Sequence, residues 1–165
     1  MTDRVDTLTR SRMMSAVCSR NTKLEIDIRR RLFAEGFRYR LHSRDLPGTP
    51  DMVFPKYRAA VFINGCFWHA HACARYSVPE TRRTWWQDKL EATKARDARV
   101  WTELRRNGWR VLVIWECSVR GPGMNREEAL DSVCVRAGEF LRSTRNSLEI
   151  SGPSPRTRLE RDDTA

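Results

Sequence analysis

The stretch WRVLVIWE (residues 109–116) decides the fold class. Its interior is uninterrupted apolar sequence, which reads as a strand at the centre of a sheet. Ahead of it, residues 82–107 read as one long helix, with Trp86, Leu90, Val100, Trp101 and Leu104 marking the buried side and Gly108 ending it. Behind it, Asn125 and Glu128 form the cap of a last helix that carries Ala129, Val133, Phe140 and Leu141. Upstream lie three further strands. Residues 57–63 are apolar enough to be buried, residues 51–54 follow the turn LPGTP (46–50), and Phe37, Tyr39 and Leu41 alternate with Arg38, Arg40 and His42 as a half-exposed strand. The first clear helix begins at a T-x-x-E capping box, Thr22 and Glu25, with Leu24, Ile28 and Leu32 on one face and Gly36 as its stop. The predicted order is α-β-β-β-α-β-α, an α/β domain with a central mixed sheet flanked by helices. This core spans residues 21–142. Residues 1–20 are polar and Arg-rich, an arm or short helix, and residues 143–165 are Ser-, Pro-, Arg- and Asp-rich, a tail expected to be disordered.

The chain has 165 residues, enough for one domain with a real core. Its 31 Lys and Arg against 21 Asp and Glu give a net charge of +10, which favours a polyanionic partner. Arginine supplies most of that charge, and its planar fork matches phosphates and base edges better than an ammonium does. No apolar run is long enough to span a membrane, and the N-terminus lacks the apolar stretch of a secretory signal, so a cytoplasmic protein is expected. Five cysteines, an odd number, argue against a disulfide framework and for metal ligation or burial.

Chemistry concentrates in GCFWHAHAC (65–73). Cys66, His69, His71 and Cys73 lie within eight residues, and Cys117 lies just past the end of the 109–116 strand. Zinc takes four thiolate or imidazole ligands in a tetrahedron. Two cysteines, one of the two histidines and Cys117 meet that need, but spacing does not choose the histidine: Cys66-x2-His69-x3-Cys73 and Cys66-x4-His71-x-Cys73 both serve. Phe67 and Trp68 sit in the same loop, where exposed aromatics beside a basic surface can wedge between stacked bases. Trp85 and Trp86 begin the long helix nearby. Asp51, opening a strand after the Pro-rich turn, is held rigidly enough to bind a hard cation such as magnesium. The strand over residues 57–63 supplies neither a second acid nor a lysine, which leaves His69 as a candidate base, since imidazole titrates near neutral pH. Glu25 has a capping role and, at a helix start, can also reach a metal through water.

The chain resembles the Vsr family of bacterial very-short-patch-repair endonucleases. The likeness is carried by RSRMMS (10–15), RNTKLE (20–25), LPGTPDMVF (46–54), INGCFWHAHAC (63–73) and GWRVLVIWEC (108–117), in order over about residues 9–141. The resemblance implies a restriction-endonuclease-like fold and a strand-specific nick on the 5′ side of the thymine in T:G mismatches left by 5-methylcytosine deamination. It implies that Asp51 and the backbone carbonyl of Ile63 bind catalytic magnesium, two ions in all, with Glu25 acting through water and His69 as general base. His71 then joins Cys66, Cys73 and Cys117 at a structural zinc site. Phe67, Trp68 and Trp86 enter the duplex from the major groove, and Met14 wedges in from the minor groove. Double-stranded DNA with a T:G mismatch is the implied partner, with mismatch-repair proteins and a cognate cytosine-5 DNA methyltransferase system around a monomeric, nucleoid-associated enzyme. Asn64 departs from the family, whose members carry His or Asp there, so the resemblance brings no auxiliary proton role to that position. The competing class is a zinc-stabilised DNA-binding protein without catalysis, which accounts for the charge, the zinc loop and the aromatics but not for Asp51 and Glu25. A relative with broader nuclease specificity is the third possibility.

Overall fold

A strand buried on both faces has no water for the backbone groups on its edges, so it needs a strand on each side, and the central strand has them. The computed structural model describes residue 9 and residues 20–152. Its elements are α1 (Lys23–Ala34), β1 (Arg40–Leu41), β2 (Met52–Phe54), β3 (Ala59–Asn64), α2 (Arg83–Arg106), β4 (Arg110–Trp115), α3 (Arg126–Arg142) and β5 (Ser147–Ile150). The five strands form one sheet in chain order. Strands β1, β2 and β3 pair antiparallel, whereas β3, β4 and β5 run parallel. Parallel neighbours need crossovers, and α2 and α3 supply them.

The period-2 alternation of the strands sorts the core into two layers. Met52, Phe54, Val61, Leu112 and Ile114 face α1 and α3, where Ile28, Leu32, Leu130, Val133 and Phe140 meet them. Ala60, Phe62, Val111, Val113 and Trp115 face the opposite way, toward Leu104 and the half-buried Val100 and Trp101 of α2. Leu112 and Ile114 are fully buried, so truncating either to alanine costs about 2–5 kcal/mol, the lost transfer energy plus the cavity. Among the described residues, no helix is long and apolar enough to cross a membrane.

The end of the chain departs from expectation. Residues 147–150 are not part of a disordered tail; they form β5, paired with β4 from Val111↔Ser147 to Ile114↔Ile150. Without β5 the most apolar strand of the protein would be an open edge. The segment is led there by Arg110, whose guanidinium donates to the carbonyls of Leu141 (3.2 Å) and Arg145 (2.9 Å), and by the Val111 N–H, which donates to the Asn146 carbonyl at 3.0 Å. Ile150 is fully buried. Residues 153–165 lie outside the described part. The half-exposed strand expected over residues 37–42 is shorter, only Arg40 and Leu41: Phe37 turns into the core at 2% exposure and His42 takes φ +46.

Candidate active site and metal centre

The turn LPGTP aims Asp51. Gly48 adopts φ +74, and a Cβ there would lie 2.4 Å from Cγ1 of Val100 on α2. Glycine is therefore required both by the backbone conformation and by the close approach of the helix. The turn delivers Asp51 to the start of β2, where its Oδ2 accepts the Ile63 N–H at 2.7 Å. Burial pushes the Asp51 carboxyl up to about 6; the Ile63 bond, Arg29 and His69 oppose that rise and nearby Glu25 adds to it. A carboxylate that is costly to ionise when alone is one that gains from a bound cation.

Glu25 does two jobs. Thr22 caps α1 by accepting the Glu25 N–H at 3.3 Å, and Glu25 returns the contact by accepting the Asn21 N–H at 2.9 Å and the Thr22 hydroxyl at 3.0 Å. Arg29, itself buried, donates to the same carboxylate at 2.7 Å and to the Asn21 side-chain oxygen at 2.6 Å. Beyond Arg29 stands His42, its Nε2 at 3.2 Å from Nη2 of that guanidinium. Arginine only donates, so His42 is the acceptor and is held neutral; burial first, and Arg29 second, lower its pKa. Glu25, His42, Asp51, Ile63, Asn64 and His69 line one cleft of about 450 Å³, together with Arg20, Arg96 and Asp97. Asn64, 5% exposed, sits at the end of β3.

Sequence reading missed Asp97. Its Oδ2 lies 2.5 Å from Nδ1 of His69, and its side chain is 13% exposed. The signal was present. On α2 the less exposed positions are 86, 90, 93, 97, 100, 101, 102 and 104, mostly a helical stripe of otherwise apolar or neutral residues, and a carboxylate on such a stripe needs a partner.

The loop after β3 is a series of turns rather than extended chain, with His69 N–H donating to Gly65 and His71 N–H to Cys66. Ala70 takes φ +48 between the two histidines, and this reversal parts them. His69 turns to Asp97 and the cleft. His71 stacks on Trp115, with centroids 4.1 Å apart and planes 13° from parallel, and its Nδ1 lies 3.6 Å from Cys117 Sγ. The ligand atoms of Cys66, His71, Cys73 and Cys117 all lie within 4.8 Å of one another. Three buried sulfurs and one imidazole at that separation fit a tetrahedral metal site. The thiols are polarised against each other: the hydrogen bond from Cys66 lowers Cys117 to about 5, burial opposes this, and the Gly152 N–H and His71 assist. The same Cys117 bond, with burial, raises Cys66. Cys134 belongs to neither site; it is on the core face of α3, its thiol pushed up to about 12 by burial.

Phe67, Trp68 and Trp86 are gathered into one half-buried aromatic cluster, with centroids 5.1, 5.2 and 6.2 Å apart. Trp85 abuts Trp86 at 4.9 Å and is 50% exposed. Met14 and Cys18 lie outside the described residues.

Comparison with known proteins bears on this arrangement. The family described as "DNA mismatch endonuclease Vsr" matches residues 2–75. The type II nicking enzyme V.XorIIP of Xanthomonas oryzae is 46% identical over 123 residues, covering 74% of this chain and 90% of that protein. The DNA mismatch endonuclease Vsr of Escherichia coli is 41% identical over 130 residues, covering 79% and 83%. The type II nicking enzyme V.NmeAIP of Neisseria meningitidis is 39% identical over 127 residues, covering 77% and 91%. With relatives this similar over most of both lengths, the chain belongs to the Vsr family of DNA mismatch endonucleases.

Proposed function

We propose that the protein nicks one strand of double-stranded DNA on the 5′ side of the thymine in a T:G mismatch, by magnesium-dependent phosphodiester hydrolysis that initiates very short patch repair. The observation that carries this reading is the meeting of Asp51, Glu25 and an Asp97-braced His69 in one cleft beside an aromatic cluster. Magnesium, when bound, supplies Lewis acidity and neutralises charge on the phosphate. Asp51 is the direct carboxylate ligand for it, with the Ile63 carbonyl beside it. Glu25 acts through water, because its own oxygens are already engaged by Thr22, Asn21 and Arg29. His69 takes the proton of the attacking water at Nε2, since Nδ1 is held by Asp97, whose carboxylate fixes the ring and stabilises the imidazolium that forms.

Recognition falls to the aromatics. A wobble pair is weakly stacked, so opening it costs less than the few kcal/mol per step of a matched duplex. Phe67, Trp68 and Trp86 enter there from the major groove, and Met14 of the 1–20 arm enters from the minor groove. Cys66, His71, Cys73 and Cys117 hold a structural zinc that fixes the loop carrying both His69 and the wedge.

The test is incubation of the protein with magnesium and T:G, T:A and other mismatched duplexes, followed by denaturing electrophoresis. A single nick 5′ of the mismatched thymine is expected, with matched DNA spared. Binding without cleavage would favour the zinc-stabilised DNA-binding reading, and equal cutting of all duplexes would favour a nuclease of broader specificity.

A further inference from the structure

The three parallel strands end at one place. Cys66 lies two residues beyond the end of β3, Cys117 two beyond the end of β4, and Gly152 two beyond the end of β5. Gly152 is no ligand, yet its N–H donates to Cys117 Sγ at 3.2 Å. A Cβ on Gly152 would lie 2.3 Å from the Cys117 carbonyl oxygen and 2.9 Å from its carbon. Only glycine brings a backbone amide this near the sulfur, and the reason is contact with main chain, which cannot rotate away. The same strand makes a second approach. Glu149 on β5 accepts the Trp115 indole N–H at 2.8 Å, and Trp115 is the platform on which His71 stacks.

We infer that the last strand of the chain is the outer wall of the metal centre: Gly152, by its N–H to Cys117, and Glu149, through Trp115 and His71, are positioning residues that set the orientation of two of the four ligands. Outer partners of this kind fix ligand geometry and temper ligand charge, and losing one typically weakens metal affinity about 10–100-fold. Residues 147–152 thereby do more than cover an edge, a role that rests on the four-residue cluster being a zinc site.

The experiment is zinc competition against a chromogenic chelator, on the full chain, with a parallel series loaded with cobalt to read the sulfur-to-metal charge-transfer band. Failure of the unaltered protein to bind one zinc would refute the zinc reading itself. Given that binding, Gly152→Ala is expected to weaken zinc about 10–100-fold and to move the cobalt band. Glu149→Leu is expected to weaken zinc less, whereas Glu149→Gln, whose amide oxygen can accept the same indole N–H, should stay within about twofold of the parent. If Gly152→Ala fails to fold, the Glu149 pair still decides. Zinc affinity within twofold of the parent in Glu149→Leu and in any folded Gly152→Ala, with an unmoved cobalt band, overturns the inference even if melting temperatures fall.

Discussion

The two sites joined by the loop over residues 65–73 serve opposite physical purposes. At the cysteine end, Cys66, Cys73 and Cys117 are buried and meet His71 with their ligand atoms within 4.8 Å. The hydrogen bond from Cys66 pushes Cys117 toward thiolate, while the same bond and burial push Cys66 up. At the histidine end, Asp51 faces an open cleft and is raised to about 6, a carboxyl that the fold alone stabilises poorly. One site draws its polar groups onto one another and locks the loop. The other carries unrelieved electrostatic cost in an open cleft. A site that binds for structure is satisfied by the protein, whereas a site that reacts is left for the ligand to complete.

The largest effect expected is at the locked end. His71→Ala or Cys117→Ala should strip the metal and lower the melting temperature by about 10 °C or more, since binding energy at such a site is folding energy. A metal-free variant melting like the parent would break the comparison.

Asp51→Asn should do the reverse: abolish nicking while stabilising the metal-free protein. The sign follows from the raised carboxyl. Ionising it in the fold costs about 1–3 kcal/mol more than in the unfolded chain, a penalty full above about pH 6 and gone below about pH 4. Asparagine removes that penalty and can still accept the Ile63 N–H. Denaturant melts at pH 8 and pH 4 check it, with stabilisation expected only at pH 8.

A smaller loss is expected at the brace. Asp97→Asn keeps a polar partner for His69 but no longer stabilises its cationic form, so single-turnover nicking should fall by about 10–100-fold with zinc content unchanged. The smallest effect is in pH. Below about 6, protons compete with magnesium for Asp51, so the magnesium concentration giving half-maximal rate should rise by up to about tenfold per pH unit. A flat magnesium requirement down to pH 5 would show that Asp51 is not the ligand that limits binding.

Much of this was legible in the chain. The capping box at Thr22, the long helix before Gly108 and the metal-type spacing of Cys66, two candidate histidines and Cys73 each follow from local pattern. The division between His69 and His71 does not, because both spacings satisfy a tetrahedron; it depends on the turn at Ala70 and on Asp97, 28 residues away. Asp97 was readable as a carboxylate on a buried stripe. Strand β5 was hidden because only Leu148 and Ile150 are apolar in a polar segment; the clue lay in β4, which is buried on both faces and so cannot leave the backbone groups of either edge unpaired. Arg29 and His42 read as ordinary helix and strand residues, and their place beside Glu25 is purely tertiary.

The division of labour between the two histidines is the central claim, and paired measurement of zinc content and T:G nicking in His69→Ala and His71→Ala tests it most directly. His69→Ala is expected to keep one zinc and to lose about 10²–10⁴-fold in nicking rate, while His71→Ala loses the zinc. Loss of zinc from His69→Ala, with His71→Ala retaining it, would contradict the account.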